Sequence, residues 1–207
     1  MGTMPSTTEQ QRLLELALNR SLLKESDIRD QGISRMAVSR AVAKGELERL
    51  SCGLYRHPDA EWDEHLSLSE VAARAPKAVI VLVSALQFHQ IGTHQAHAVW
   101  IQIRNNAVPP RITYPVIEVV KTSISEAFST GVQKHRLNDI DVPITTPART
   151  VVDCFKYRRR VGLELCLEAL KDLLNSKQHR TNPAEIMELA ALQRVSSIIR
   201  PYLEALA

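Results

Sequence analysis

Five basic side chains in one short stretch carry the clearest chemistry in the chain. Arg35, Arg40, Lys44, Arg49 and Arg56 stand against only Glu46 and Glu48 in ISRMAVSRAVAKGELERLSCGLYRHP, residues 33–58. The first three, with Ser39, fall largely on one side of a short helix. An arginine fork there matches the O6 and N7 acceptors of guanine, a contact worth about 1–3 kcal/mol of discrimination between bases. Lysine and serine at the same spacing suit phosphates. Ser34 reads as the helix N-cap and a contact at the helix head. Arg49 and Arg56 follow on a ribbon and would touch flanking phosphates, although Arg56 could instead cap a domain joint. The expected DNA contacts are therefore Ser34, Arg35, Ser39, Arg40, Lys44, Arg49 and Arg56. A solvated helix face is the plain alternative.

A second charged cluster comprises Arg149, Asp153, Lys156, Tyr157, Arg158, Arg159 and Arg160. Arg149 and Asp153 lie four apart, the spacing of a salt bridge along one helix. Arg149, Lys156, Arg158, Arg159 and Arg160 form a candidate surface for a protein partner, with a solvated helix end as the alternative. His89, His94 and His97 lack the paired spacing and acidic ligand of a metal site, so no metal or other cofactor is expected. Cys52, Cys154 and Cys166 form no CxxC. With no signal peptide at the N-terminus, their odd number points to reduced thiols and a cytoplasmic location.

The elements that position the basic set read as a winged helix-turn-helix. Residues 8–23 form a first helix, and residues 24–30 a second, with Ser26 as its cap and Ile28 pointing inward. Residues 31–33 turn into the third helix, 35–44. There Met36, Val38, Ala41 and Val42 supply the apolar stripe, and Gly45 ends it. Residues 46–50 and 54–56 are extended around a turn at 51–53, where Gly53 takes positive φ. Helices followed by a ribbon place the third helix in the DNA major groove.

The character changes after Pro58. Residues 59–63 form a polar joint, giving an N-terminal winged domain, 1–58, and a second domain, 59–207. The second reads as mixed α/β: a helix at 65–75, and an apolar run at 78–83 that is a buried strand or the start of a helix. Strands follow at 99–103, 116–121, 131–135 and 141–145. It closes in helices at 147–158, 162–174, 183–191 and 196–205, the second with Leu163, Leu167, Leu170 and Leu174 along one side. The fold class is thus α+β. Aromatic residues are only 4% of the chain, so the core must be mainly aliphatic. The net charge of +3 is too small to argue a nonspecific nucleic-acid coat.

Three blocks carry a family resemblance: the stretch at 33–58, then VIVLVSALQFHQIGTHQAHAVWIQI, then PITTPARTVVDCFKYRRRVGLELCLEALKDLL. In this order they resemble the AbiEi antitoxins and transcriptional regulators of type IV toxin–antitoxin, or abortive-infection, systems. The resemblance implies autorepression by the winged domain on inverted-repeat DNA. It also implies neutralisation of a nucleotidyltransferase-like toxin by the second domain. Inverted repeats require two copies. No heptad or dimer stripe is evident, so a monomer loading cooperatively on DNA is expected.

Two other classes compete. A winged domain can bind protein rather than DNA. A restriction- or repair-type nuclease would share the wing and the TTPARTVVD segment, but its core needs Glu-x-Lys to hold Mg²⁺. No glutamate here is followed two residues later by lysine. P-loop, GxSxG and HExxH motifs are also absent, so no catalytic set is expected.

Overall fold

Thr8 opens the chain's first helix with a reciprocal cap: its hydroxyl accepts from Gln11 N, and the Gln11 amide accepts from Thr8 N. The computed structural model describes residues 8–60 and 63–206. Residues 61 and 62 of the expected joint lie outside the described residues. Helix α1 (Glu9–Leu18) is followed by β1 (Leu23–Lys24), α2 (Glu25–Asp30), α3 (Arg35–Ala43), β2 (Glu48–Ser51) and β3 (Leu54–Arg56). The three strands form an antiparallel sheet in the order β1-β3-β2, completing the winged helix-turn-helix.

The first helix is shorter than the apolar pattern suggested. Leu22 and Leu23 are both buried, but in different clusters: Leu23 with Leu13, Ala17 and Ile28, Leu22 with residues of the second region. The helix ends at Leu18, and Leu23 opens β1, whose extended backbone sends neighbouring side chains to opposite sides. Ser26 does not cap α2; Lys24 holds that position without a side-chain hydrogen bond. Helix α3 is capped as expected, with Ser34 Oγ accepting from Ala37 N. At its other end Gly45 takes φ +73°, Gly45 N–H donates to Val42 O and Glu46 N–H to Ala41 O. This paired closure needs a left-handed residue, which glycine adopts without a Cβ penalty.

The second region contains α4 (Leu66–Arg74), β4 (Val79–Ile80), α5 (Leu82–Phe88), β5 (Val99–Arg104), β6 (Ile117–Thr122), a 3-10 turn at Ser125–Phe128, β7 (Val132–Leu137) and β8 (Ile140–Thr145). Helices α6 (Pro147–Lys156), α7 (Arg158–Val161), α8 (Leu163–Asn175), α9 (Pro183–Leu192) and α10 (Ser196–Leu206) close it. The apolar run at 78–83 is both things it could be, a short strand leading straight into a helix. The five-stranded sheet runs β6-β5-β4-β8-β7; β5 pairs parallel with β6 and β4 parallel with β8, and the other pairs are antiparallel.

Both faces of this sheet are covered, and the strand period sorts the side chains between them. Ile80, Ile101, Ile103, Ile140, Val142 and Ile144 pack with Leu66, Leu68, Val71 and Ala72 of α4. Val79 and Val120 join the other layer with Val151, Val152, Phe155, Leu170 and Leu173. Leu22 and Leu54 of the winged region sit in the α4 layer, and Arg20 reaches Asp139 at 3.6 Å. The winged region is therefore held against the sheet by an apolar seam as well as by the chain. On α8 the buried positions are Leu165, Cys166, Ala169, Leu170 and Leu173. Leu163 is exposed, so the expected leucine stripe is rotated from the true face.

Candidate nucleic-acid interface

Helix α3 buries one side and shows the other. Ala37, Val38 and Ala41 lie in the winged core, while Ser34, Arg35, Met36, Ser39, Arg40, Ala43 and Lys44 are exposed. Met36 was expected in the apolar stripe. It lies instead on the outer face at 73% exposure. The spacing explains this: Ala37, Val38 and Ala41 define the inward arc, and Met36 falls outside it.

Glu9 fixes how the outer face is presented. Its carboxylate accepts from Ser34 N–H, which holds its pKa below the usual carboxylate range, helped by the Ser34 side chain and the Arg40 charge. Start of α1 and start of α3 are thereby pinned together. Ser34 Oγ is committed to the cap but remains at the surface. Arg35 Nε meets Glu25 Oε1 at 2.8 Å, with the arginine side chain 89% exposed. So exposed a pair is worth under about 1 kcal/mol. It orients the guanidinium and is readily exchanged for a base or phosphate. Arg40 Nε donates to Met36 O at 3.3 Å, laying its side chain along the helix. Lys44 Nζ lies 3.8 Å from Glu46 Oε1.

An open groove of about 840 Å³ runs between this helix and the ribbon, lined by Arg29, Arg35, Ser39, Ala43, Arg49 and Cys52 among others. Arg49 belongs to it; Nε donates to Ser51 O at 3.4 Å, holding the side chain over the ribbon. Arg56 does not share this face. It is partly buried, its Nη2 lies 3.2 Å from Glu48 Oε2, and its charge reaches Glu70 on α4. Burial raises the Glu70 carboxyl pKa, with Arg74 and Arg56 pulling it back. The structure thus assigns Arg56 to the joint. Arg29 and Cys52 also line the groove, although neither is among the expected DNA contacts; Cys52 sits in the wing turn, and α2 spacing would point to Arg29.

The second cluster does not form one surface. Arg149 is fully buried: Nε donates to Asp153 Oδ1 at 2.9 Å, Nη1 to Thr130 O at 2.6 Å and Nη2 to Ala127 O at 3.4 Å. It cannot meet a partner in this fold, and its expected place on a partner surface is corrected to a core clamp joining α6 to the 127–130 segment. The i, i+4 bridge to Asp153 is present. Burial pushes the Asp153 carboxyl up, and Arg149 opposes that. Lys156 is half-buried on Gln193 Oε1 at 2.7 Å. Arg158 Nη1 donates to Phe155 O at 3.0 Å.

Arg160 and Tyr157 instead seal an open strand. Arg160 Nη1 donates to Val119 O, Nη2 pairs with Glu118 at 2.6 Å, and the guanidinium lies 4.8 Å from the Trp100 ring centre. Tyr157 Oη donates to Lys121 O. Val119 and Lys121 are on β6, a sheet edge whose free carbonyls would otherwise invite another strand. Arg159 remains exposed.

His89 is buried, with Nε2 donating to Thr145 O at 2.7 Å, and burial lowers its pKa to about 4. Among the described residues no three His, Cys, Asp or Glu side chains gather as a metal site, and no helix is long and apolar enough to cross a membrane.

Residues 11–58 match the family model described as a transcriptional regulator, AbiEi antitoxin. The match covers the winged helix-turn-helix. Comparison with curated proteins gives no match. The fold resembles the crystal structure of the RV2827C protein from Mycobacterium tuberculosis, with a TM-score of 0.60 and 14% identity, over 99% of this chain and 81% of that one. At that identity the likeness concerns the fold, and it extends through both regions.

Proposed function

We propose that the chain is the antitoxin of a type IV toxin–antitoxin system, a DNA-binding repressor of its own operon. One observation carries the reading. The residues that match the antitoxin regulator model fold into a winged helix-turn-helix whose third helix turns Arg35, Ser39, Arg40 and Lys44 outward. In this reading residues 1–58 form the DNA-binding domain and residues 59–207 the antitoxin domain. Arg35 and Arg40 read base edges in the major groove, and Ser34, Ser39, Lys44 and Arg49 hold phosphates. Two copies load cooperatively on inverted repeats, each a monomer in solution. Residues 59–207 neutralise a nucleotidyltransferase-like toxin; Arg159, exposed and not engaged in the contacts described above, is where that surface begins. The protein performs no catalysis of its own and acts in the cytoplasm.

A transcriptional reporter driven by the DNA upstream of the gene tests this reading. The wild-type chain is expected to repress it. The Arg35→Ala, Arg40→Ala double variant is expected to lose repression while still rescuing growth against the toxin encoded beside it. A reporter indifferent to the wild-type chain would overturn the repressor assignment. Failure of the wild-type chain to rescue growth would overturn the antitoxin assignment.

A further inference from the structure

The outer face of α3 carries one side chain that basic-residue chemistry does not account for. Met36 is 73% exposed and belongs to none of the buried clusters. It is the second residue of the helix, within the N-terminal part that meets base edges when such a helix docks. Arg35 adjoins it in sequence, and Arg40 lies one turn on with its Nε on the Met36 carbonyl. An unbranched thioether in this position gains little in the free protein, because the fold leaves most of it uncovered.

A partner whose surface is anionic at the rim and apolar within reach of residue 36 would satisfy all of these groups together. The DNA major groove offers that combination. Phosphates line its edges, and its apolar feature is the C5-methyl group of thymine. Methionine's three rotatable bonds and polarizable sulfur suit it to follow such a methyl. Resting on the DNA-binding reading above, we infer that Met36 is a specificity-determining residue that reads thymine through its methyl group, between two arginines that read or hold their neighbours.

The test uses the full chain and duplex DNA from upstream of its gene, made with thymine or with deoxyuridine, which lacks only the methyl group. Each contacted methyl is expected to contribute about fourfold in affinity, the value of one buried carbon. Wild-type protein should therefore bind the deoxyuridine duplex at least about fourfold more weakly. Met36→Ala should bind the thymine duplex more weakly and lose the distinction between the two. Met36→Leu should keep it, and Arg40→Ala should weaken both duplexes while preserving their ratio. Wild-type binding that ignores the methyl, or a Met36→Ala protein that still senses it, overturns this inference alone. Failure of the wild-type chain to bind either duplex overturns the repressor reading and this inference with it.

Discussion

Replacing Arg149 with methionine separates a core clamp from a partner contact. The substitution keeps most of the side-chain volume but removes every donor. Asp153 then stays buried with neither carboxylate oxygen paired, since Oδ2 already lacks a partner, and the Thr130 carbonyl loses its donor, while Ala127 O keeps the one from Gln102 Nε2. Removing one partner of a buried ion pair costs about 3–5 kcal/mol. At a urea slope of about 2 kcal/mol per molar, the midpoint should fall by roughly 2 M. The loss should depend on pH. Without Arg149, burial raises the Asp153 pKa further above its unfolded value, so the folded state gains by taking a proton. Stability is then kept at low pH and lost as pH rises through the folded pKa. The deficit relative to wild type should therefore grow as pH rises above the ordinary carboxylate range. Removing both charges with Arg149→Met, Asp153→Leu should recover most of it, because the stranded carboxylate is gone and only the Thr130 carbonyl remains unpaired. Urea unfolding followed by circular dichroism gives all of these quantities. A single variant as stable as wild type would refute the clamp, most clearly if it also failed to rescue growth.

Other consequences are open to the same measurement. His89 has a folded pKa of about 4 against an ordinary value near 6.5. The unfolded chain therefore takes its proton first, and stability falls as pH drops from about 6.5 toward 4. Between pH 7 and pH 5 wild type should lose about 2 kcal/mol more than His89→Gln; equal losses would contradict the buried neutral imidazole. Gly131→Ala would place a Cβ 2.8 Å from the Arg149 Cβ at φ +67°. It should cost about 2 kcal/mol or more through clash and strain, and a neutral result would mean the clamp is looser than drawn. Arg160→Ala bares the β6 edge. It should leave the unfolding free energy within about 1 kcal/mol of wild type but increase concentration-dependent aggregation by light scattering.

The winged region was legible because its signals are local. Ser34 caps, Gly45 closes and the basic residues recur at helical spacing, so α3 could be placed within a residue of its true end. What failed there was also local in origin. Met36 is apolar by type, whereas Ala37, Val38 and Ala41 choose the buried arc. Leu22 and Leu23 fit a helical period, which cannot reveal that two separate cores want adjacent residues. The second region depended on tertiary context. Arg149 and Asp153 look like a surface pair on any helix, yet α6 lies at the centre of its layer, with residues 148–155 all buried. The clue lay in their neighbours: an i, i+4 pair of opposite charge amid Val151, Val152, Cys154 and Phe155 neutralises itself, and Gly131 leaves it room. Of the five residues expected to face a partner, only Arg159 is neither buried nor engaged by the described fold in the contacts above.

The central claim is that the outer face of α3 reads DNA, and equilibrium binding tests it most directly. Fluorescence anisotropy would compare a labelled duplex from upstream of the gene with a scrambled duplex of the same length and composition. The upstream duplex should bind at least about a thousandfold more tightly at physiological salt, the lower end of what specific recognition gives. Arg35→Ala with Arg40→Ala should remove most of that ratio, whereas Lys44→Ala should weaken both duplexes alike and reduce the salt slope by about one. Equal affinity of the wild-type chain for the two duplexes, or an unchanged ratio in the double variant, would contradict the account.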